Sequence, residues 1–296
     1  MIENWKEFLI IEKELHDFLE SISSNDRIKK ALKYAISAGG KRIRPIIVLL
    51  AGKICNGDYN KLMNLAIAVE LIHTASLIHD DVIDKAETRR GNIALNRKYN
   101  PSLAILLGDW LISKSVELTS VYGEKVIREF SRVGMMMSEG ETMDLYSNED
   151  FFGEKEYFEC IEKKTASLFA YSAKTACEVS GGSELVIDSL YRYGYNLGIA
   201  YQLVDDLLEY LESLKDKKSE FESMTLPQIY ERDFGREIAI QKTLDLILKF
   251  KNHSIEVLQI FPESEEKRKL IEIVDFMTNS MLKDLEQVET IKVRNF

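Results

Sequence analysis

In 296 residues this chain carries only 4 Pro and 15 Gly, and the glycines cluster rather than spread. Both residues break helices. Their scarcity leaves long stretches rich in Leu, Ile, Ala, Glu and Lys, which favour helices over many short strands. Apolar residues recur near the 3.6-residue period and predict helices over 4–22, 26–38, 42–55, 60–85, 101–121, 124–146, 154–179, 184–213, 225–250 and 264–289. The breaks fall where turn residues collect, at Gly39-Gly40, Asn56-Gly57-Asp58, Gly91-Asn92, Asn100-Pro101 and Gly181-Gly182. Segments 60–85 and 184–213 are apolar nearly all round in their middles, as central helices of a bundle must be. With 45% hydrophobic residues and no repeat, the expectation is one large all-α domain over 1–296.

Charge excludes some partners. Lys plus Arg total 39 against 49 Asp plus Glu, a formal charge of −10, which argues against nucleic acid binding. No 18-residue run lacks charges, so a transmembrane segment is not expected. The first residues, "MIENWKEFLIIEKELHDF", have acids spaced through them, unlike a signal peptide. Cys55, Cys160 and Cys177 are scattered and fit neither a disulfide framework nor a CxxC zinc site. Buried thiols in a reducing cytoplasm are the plain reading, and a cytoplasmic location is expected.

Two short acidic patterns interrupt the apolar helices, "DDVID" at 80–84 and "DDLLE" at 205–209. At 100° per residue, Asp80, Asp81 and Asp84 share an arc of about 100° on one helix, and Asp205, Asp206 and Glu209 do so on another. A solvated helix face is the plain reading of one pair of adjacent acids. Here the flanks are apolar, as in "AVELIHTASLIH" and "GIAYQLV", and the pattern occurs twice on central helices. The first cluster also nears a helix C-terminus, where the dipole disfavours negative charge. Carboxylate oxygens are hard ligands, and Mg²⁺ is usually held by one or two of them together with water and phosphate oxygens. His79 adjoins Asp80, but no ExxH pair points to a di-iron bundle, so His79 reads as a hydrogen-bonding neighbour. Two facing carboxylate clusters suggest a magnesium-bridged diphosphate.

Cations accompany them. "SAGGKRIRP" places Lys41, Arg42 and Arg44 after Gly39-Gly40 at a helix start, where backbone N–H groups add to an anion site. Arg89 and Arg90 follow the first acid cluster on a loop able to fold back over it. Lys163-Lys164-Thr165 lies inside the apolar helix "IEKKTASLFAYSA", so at least one ammonium points inward or snorkels.

Taken in order, "GGKRIRP", "ELIHTASLIHDDVID", "RRG", "GDWLISKS", "KTASLFAYSA" and "GIAYQLVDDLLE" resemble the all-trans isoprenyl (polyprenyl) diphosphate synthases over most of the chain. The resemblance implies an antiparallel helical bundle around a deep central cavity, usually a homodimer. It also implies a prenyltransferase that elongates an allylic diphosphate with isopentenyl diphosphate, using Mg²⁺, three ions with diphosphate bound. Position by position, it assigns Asp80, Asp81 and Asp84, with Asp205, Asp206 and Glu209, to the metal. Lys41, Arg44, His73 and Arg90 fall to the isopentenyl diphosphate site, and Arg89 to the allylic diphosphate. Lys164, Thr165 and Gln202 fall near that diphosphate and the developing cation.

The chain departs from the family pattern in places. Glu209 stands where the second motif usually ends in Asp, and "LESLKDKKSEFESMTLP" has Glu222-Ser223 where a Gly-Lys pair is usual. Lys215, Lys217 or Lys218 is a candidate replacement for the absent charge. "RRGNIALN" also lacks the residues that often follow the arginine pair. In this family bulky residues five and four positions before the first aspartate stop chain growth, and here these are the small Ala75 and Ser76. The expected product is therefore about 25 carbons, with longer chains next. Its floor is expected from Ile72, Ala68 and the 101–121 helix, where Trp110 is a candidate. Two other readings are a non-catalytic or regulatory subunit of a heteromeric synthase, motivated by the altered loop, and a terpene cyclase. For a cyclase, Lys41, Arg44 and Arg90 would be superfluous.

Overall fold

The computed structural model describes residues 2–148, 152–216 and 223–280. Thirteen α-helices dominate them: α1 Lys6–Ser21, α2 Asp26–Ser37, α3 Ile43–Ile54, α4 Tyr59–Ile83, α5 Leu95–Lys98, α6 Pro101–Thr119, α7 Glu124–Leu145, α8 Glu154–Ile161, α9 Ser167–Val179, α10 Glu184–Asp216, α11 Leu226–Phe234, α12 Arg236–Glu256 and α13 Glu265–Asp275. A two-residue ribbon, β1 Thr88–Arg89 against β2 Asn92–Ile93, folds the loop after α4. The predicted all-α class holds.

Local chemistry explains the helix starts. Asn25, Asp58, Asn100 and Ser264 each cap a helix by accepting a backbone N–H in its first turn, and Pro101 follows Asn100 where a missing N–H costs nothing. One predicted helix, 225–250, is two: Gly235 takes a left-handed φ of 83° and separates α11 from α12. The predicted 154–179 helix is continuous but contains a π-helical turn, Glu162–Ala166, between α8 and α9.

Helix α4 forms the centre. Residues 65–72 are buried without interruption, and α4 packs on α6 and α3, while α3 and α10 both pack on α9. By length and composition α4 could also span a bilayer, but 67% of its most apolar 18 residues are buried inside the bundle, as in a core helix. Glycine sets the closest approaches. Gly140 on α7 and Gly198 on α10 leave no room for a Cβ against Lys164 and Ala166, so two helices grip the π turn through backbone contact.

One expectation about thiols fails. Cys160 and Cys177 are buried as expected, but Cys55 is only half-buried, and its sulfur lies 2.7 Å from that of Cys177. The two are 122 residues apart in sequence, a separation that gave no hint of the pairing.

Candidate active site

The Gly39-Gly40 turn, with φ of 82° and 147°, delivers the chain to α3, and Arg42 takes a left-handed φ of 49° before the helix begins. This reversal separates the roles of neighbouring arginines. Arg42 was expected among the anion-binding cations, but its side chain is 3% exposed and turned inward. It donates to Glu12 of α1 (2.6 Å), Glu70 of α4 (2.7 Å) and the Ile36 carbonyl (2.7 Å). A buried cation so fully paired anchors the turn and is not available to a ligand.

Arg44 faces the other way. Its guanidinium stacks 4.2 Å from the Phe169 ring of α9, and Nη1 lies 3.0 Å from His73 Nε2 on α4. Arginine only donates, so Nε2 is the acceptor and the neutral imidazole carries its proton on Nδ1. Burial holds His73 well below its usual range, and Arg44, Arg90, Arg42 and Arg89 push it lower. Burial likewise brings Arg44 down to about 10, and its Nε is buried without a hydrogen-bond partner. Arg90, left-handed at φ 51°, lies over Gly40 and donates to the Gly39 carbonyl. Burial lowers Arg90, and Arg42 and Arg89 add to the effect against the opposing field of Glu70. Lys41 is exposed, with its ammonium 4.3 Å from the Phe276 ring centre. Positive charge is thus crowded here beyond what nearby acids balance, as an anion site requires.

The carboxylates stand beside it. Asp80, Asp81 and Asp84 occupy the last turn and cap of α4. Asp81 is buried and receives Arg89 through Nε (2.7 Å) and Nη2 (2.5 Å), while its carbonyl accepts from Asn96 (2.7 Å). Burial alone would lower Arg89, but the Asp81 bond and the fields of Asp80 and Asp84 hold it above its usual range. Asp80 is pushed up to about 7 by burial and by Glu141 and Asp84, against the opposing pull of Lys164 and Arg89. On α10, burial raises Asp205, and the same Lys164 and Arg89 oppose the shift. Two cations shared by Asp80 and Asp205 bring the clusters to one site. Asp84, Asp205 and Glu209 are the exposed members of the two clusters, Asp80 is half-buried, and Asp81 and Asp206 are buried.

Asp206 is placed differently from Asp205. It is 7% exposed, and both its oxygens are engaged, Oδ2 by the Tyr157 hydroxyl and Oδ1 by Gln202 Nε2 (2.8 Å). Gln202 in turn accepts from Thr165 (2.7 Å). Burial pushes Asp206 up to about 7 despite these donors. Lys164, fixed by the π turn, reaches Asp144 (2.5 Å) and Glu141 (2.9 Å) of α7. Burial would lower Lys164, yet the two acids hold it above its usual range. π turns often mark functional sites, and this one aims Lys164 and Thr165 at the two acid clusters.

The sequence reading missed Glu141, Asp144 and Tyr157. The first two show the same i, i+3 acid spacing as Asp81 and Asp84, within "EGETMDL", and that pattern was the available signal. Tyr157 had none. His79 contacts the Ile105 carbonyl (3.1 Å) beside Gly108, as expected of a hydrogen-bonding neighbour. Ala68 and Ala75 are fully buried, Ile72 nearly so, and Ser76 bonds back to the His73 carbonyl. Trp110 tilts against Phe18 of α1, ring centres 6.4 Å apart. Lys217, Lys218 and Glu222, with the Lys215 side chain, lie outside the described residues.

Could these residues hold Mg²⁺? Among the described residues no three Asp, Glu, His or Cys side chains converge as a ready metal cage. What they offer is hard carboxylate oxygen, with Asp80, Asp205 and Asp206 all raised, first by desolvation and then by neighbouring acids. That donor set fits a cation whose remaining ligands are water and diphosphate oxygens.

Residues 25–223 match the polyprenyl synthetase family model. The chain is 43% identical to geranylfarnesyl diphosphate synthase of Methanosarcina mazei, over 96% of each chain. Its fold superimposes on a geranyltranstransferase structure from the same organism with a TM-score of 0.84 and 41% identity, over 95% of this chain and 100% of that one. It also matches a polyprenyl synthase from Caulobacter crescentus CB15, solved with calcium and isoprenyl diphosphate, with a TM-score of 0.80 and 29% identity over 91% and 94%. Full-length similarity, the motif order and the shared fold agree: the chain belongs to the polyprenyl synthetase family and is a trans-prenyltransferase.

Proposed function

We propose that this enzyme condenses isopentenyl diphosphate with an allylic diphosphate and that its product has about 25 carbons. The observation that carries the reading is the adjacency of the Arg44, Arg90 and His73 cluster to acid clusters sharing Lys164 and Arg89. One half suits a bare diphosphate, the other a metal-bound one.

Arg44 and Arg90 bind the isopentenyl diphosphate, and Arg44 Nε, which has no protein hydrogen-bond partner, is a donor for a diphosphate oxygen. His73, kept neutral, donates or accepts there without adding charge. Asp80, Asp84, Asp205, Asp206 and Glu209 would hold Mg²⁺, with Asp81 turned to Arg89. When bound, the metal neutralises the leaving diphosphate. Arg89 and Lys164 stabilise the same developing charge, so the allylic C–O bond ionises. Lys164 then exchanges part of its contact with Glu141 and Asp144 for a diphosphate oxygen. Thr165 and Gln202 present oxygen lone pairs and a fixed dipole beside the cation while Asp206 holds their orientation. The double bond of isopentenyl diphosphate, held alongside, attacks, and a proton leaves to the released diphosphate.

The product length is supported by the similarity to a geranylfarnesyl diphosphate synthase and by Ala75 and Ser76, which put no large side chain five and four positions before Asp80. A homodimer of cytoplasmic chains completes the proposal. Turnover by the purified chain, with product length read by mass spectrometry and assembly by light scattering, tests it. An inactive lone chain would return the partner-subunit reading.

A further inference from the structure

We propose that Cys55 and Cys177 form a reversible dithiol–disulfide pair, a redox modification site at the far ends of the two helices that carry the diphosphate-facing residues. Cys55 follows the last residue of α3, whose first turn holds Arg44. Cys177 lies in the last turn of α9, which starts directly after the π turn holding Lys164 and Thr165. Arg44 stacks on Phe169 at one end of this helix pair, and the sulfurs meet at the other. The rise of α3 places them about 16 Å apart along its axis.

Three observations support the pair. The sulfurs are 2.7 Å apart, less than an ångström beyond a disulfide bond of about 2.05 Å. Cys55 is half-buried, so a reagent in solution reaches it, while Cys177 is enclosed. The chain leaving α9 closes over them at Gly182, where a Cβ would strike Cys177 Sγ. The Cys55 thiol donates to Cys177, which favours the Cys177 thiolate and holds Cys55 protonated until its neighbour gives way. Cys160 is remote from this exchange and bonds the Gly140 carbonyl.

The chemistry needs an oxidant, here a low-molecular-weight disulfide such as glutathione disulfide. Starting from the Cys177 thiolate, Cys55 passes its proton across the 2.7 Å contact as it attacks one of the oxidant's sulfurs, forming a mixed disulfide; the small thiolate released takes that proton from Cys177 and leaves as the first thiol. The Cys177 thiolate then attacks Cys55 Sγ, and the second thiol leaves. Counted from the dithiol, two S–H bonds are lost on the protein and two appear on the released thiols, so the pair is oxidised by two electrons and the small disulfide reduced. The bond closes a loop of 122 residues between α3 and α9, which stiffens the helix pair away from the reacting atoms.

Incubation of the full chain with graded ratios of reduced and oxidised glutathione, followed by alkylation under denaturing conditions and peptide mass mapping, reads the couple. Oxidation should leave one alkylatable thiol, Cys160, and a linked Cys55–Cys177 peptide, with Tm raised by roughly 5 °C or more and restored by dithiothreitol. In Cys177→Ser the reaction should stop at a glutathione adduct on Cys55, whereas Cys160→Ser should link as the wild type does. Three alkylatable thiols at every ratio, or adducts on the wild type without a linked peptide, would overturn the proposal. A linked peptide with unchanged Tm would overturn the bracing role.

Discussion

Arg44 Nη1 lies 3.0 Å from His73 Nε2, and the histidine accepts. This contact requires a neutral ring, and burial, reinforced by the surrounding arginines, keeps it so. A histidine whose folded pKa is depressed contributes stability that is complete above its unfolded value, near 6.5, and declines as pH falls below it. Wild type should therefore lose more stability than His73→Gln between pH 7 and 5.5, by about 1 kcal/mol. Denaturant melts of both chains at several pH values check this; parallel profiles would sink it.

Tyr157 donates to Asp206 from α8, and Gln202 donates to its other oxygen. Burial outweighs both bonds and leaves the carboxyl pushed up to about 7 even with them in place. Tyr157→Phe should raise it further, so the carboxylate ionises only at higher pH. Apparent Mg²⁺ affinity at pH 7 should fall on the order of tenfold, with recovery as pH rises toward 9, at about 1–3 kcal/mol of stability. Loss without pH recovery would mean that Tyr157 acts only through packing.

Lys164 is clamped by Glu141 and Asp144 before any substrate arrives. Lys164→Ala removes a donor from the leaving diphosphate, and kcat should drop on the order of 10²-fold with the fold retained. Glu141→Gln loosens the clamp and relieves Asp80 of a like charge, so apparent Mg²⁺ affinity should change far more than KM for isopentenyl diphosphate. Equal changes in both parameters would contradict this division.

Ala75 is fully buried on α4, five positions before Asp80. Ala75→Phe should shorten the product, at about 1–3 kcal/mol of overpacking. A folded variant with unchanged product would mean that the chain grows along another path.

The helices were legible because apolar period and capping residues act locally, and they set most boundaries within a few residues. What escaped depends on backbone geometry or distant partners. Arg42 and Arg44 are two residues apart in one basic run, and only the left-handed turn at Arg42 sends one into the core and the other toward His73. Asp205 and Asp206 are adjacent, yet Tyr157 and Gln202 occupy only the second. The π turn and the Cys55–Cys177 contact arise from packing between helices, which no local pattern encodes.

The most direct test is product analysis of the isolated chain with Mg²⁺, isopentenyl diphosphate and each short allylic primer. Turnover to a product of about 25 carbons is expected. A 15-carbon end product under excess isopentenyl diphosphate, or no turnover at all, would contradict it.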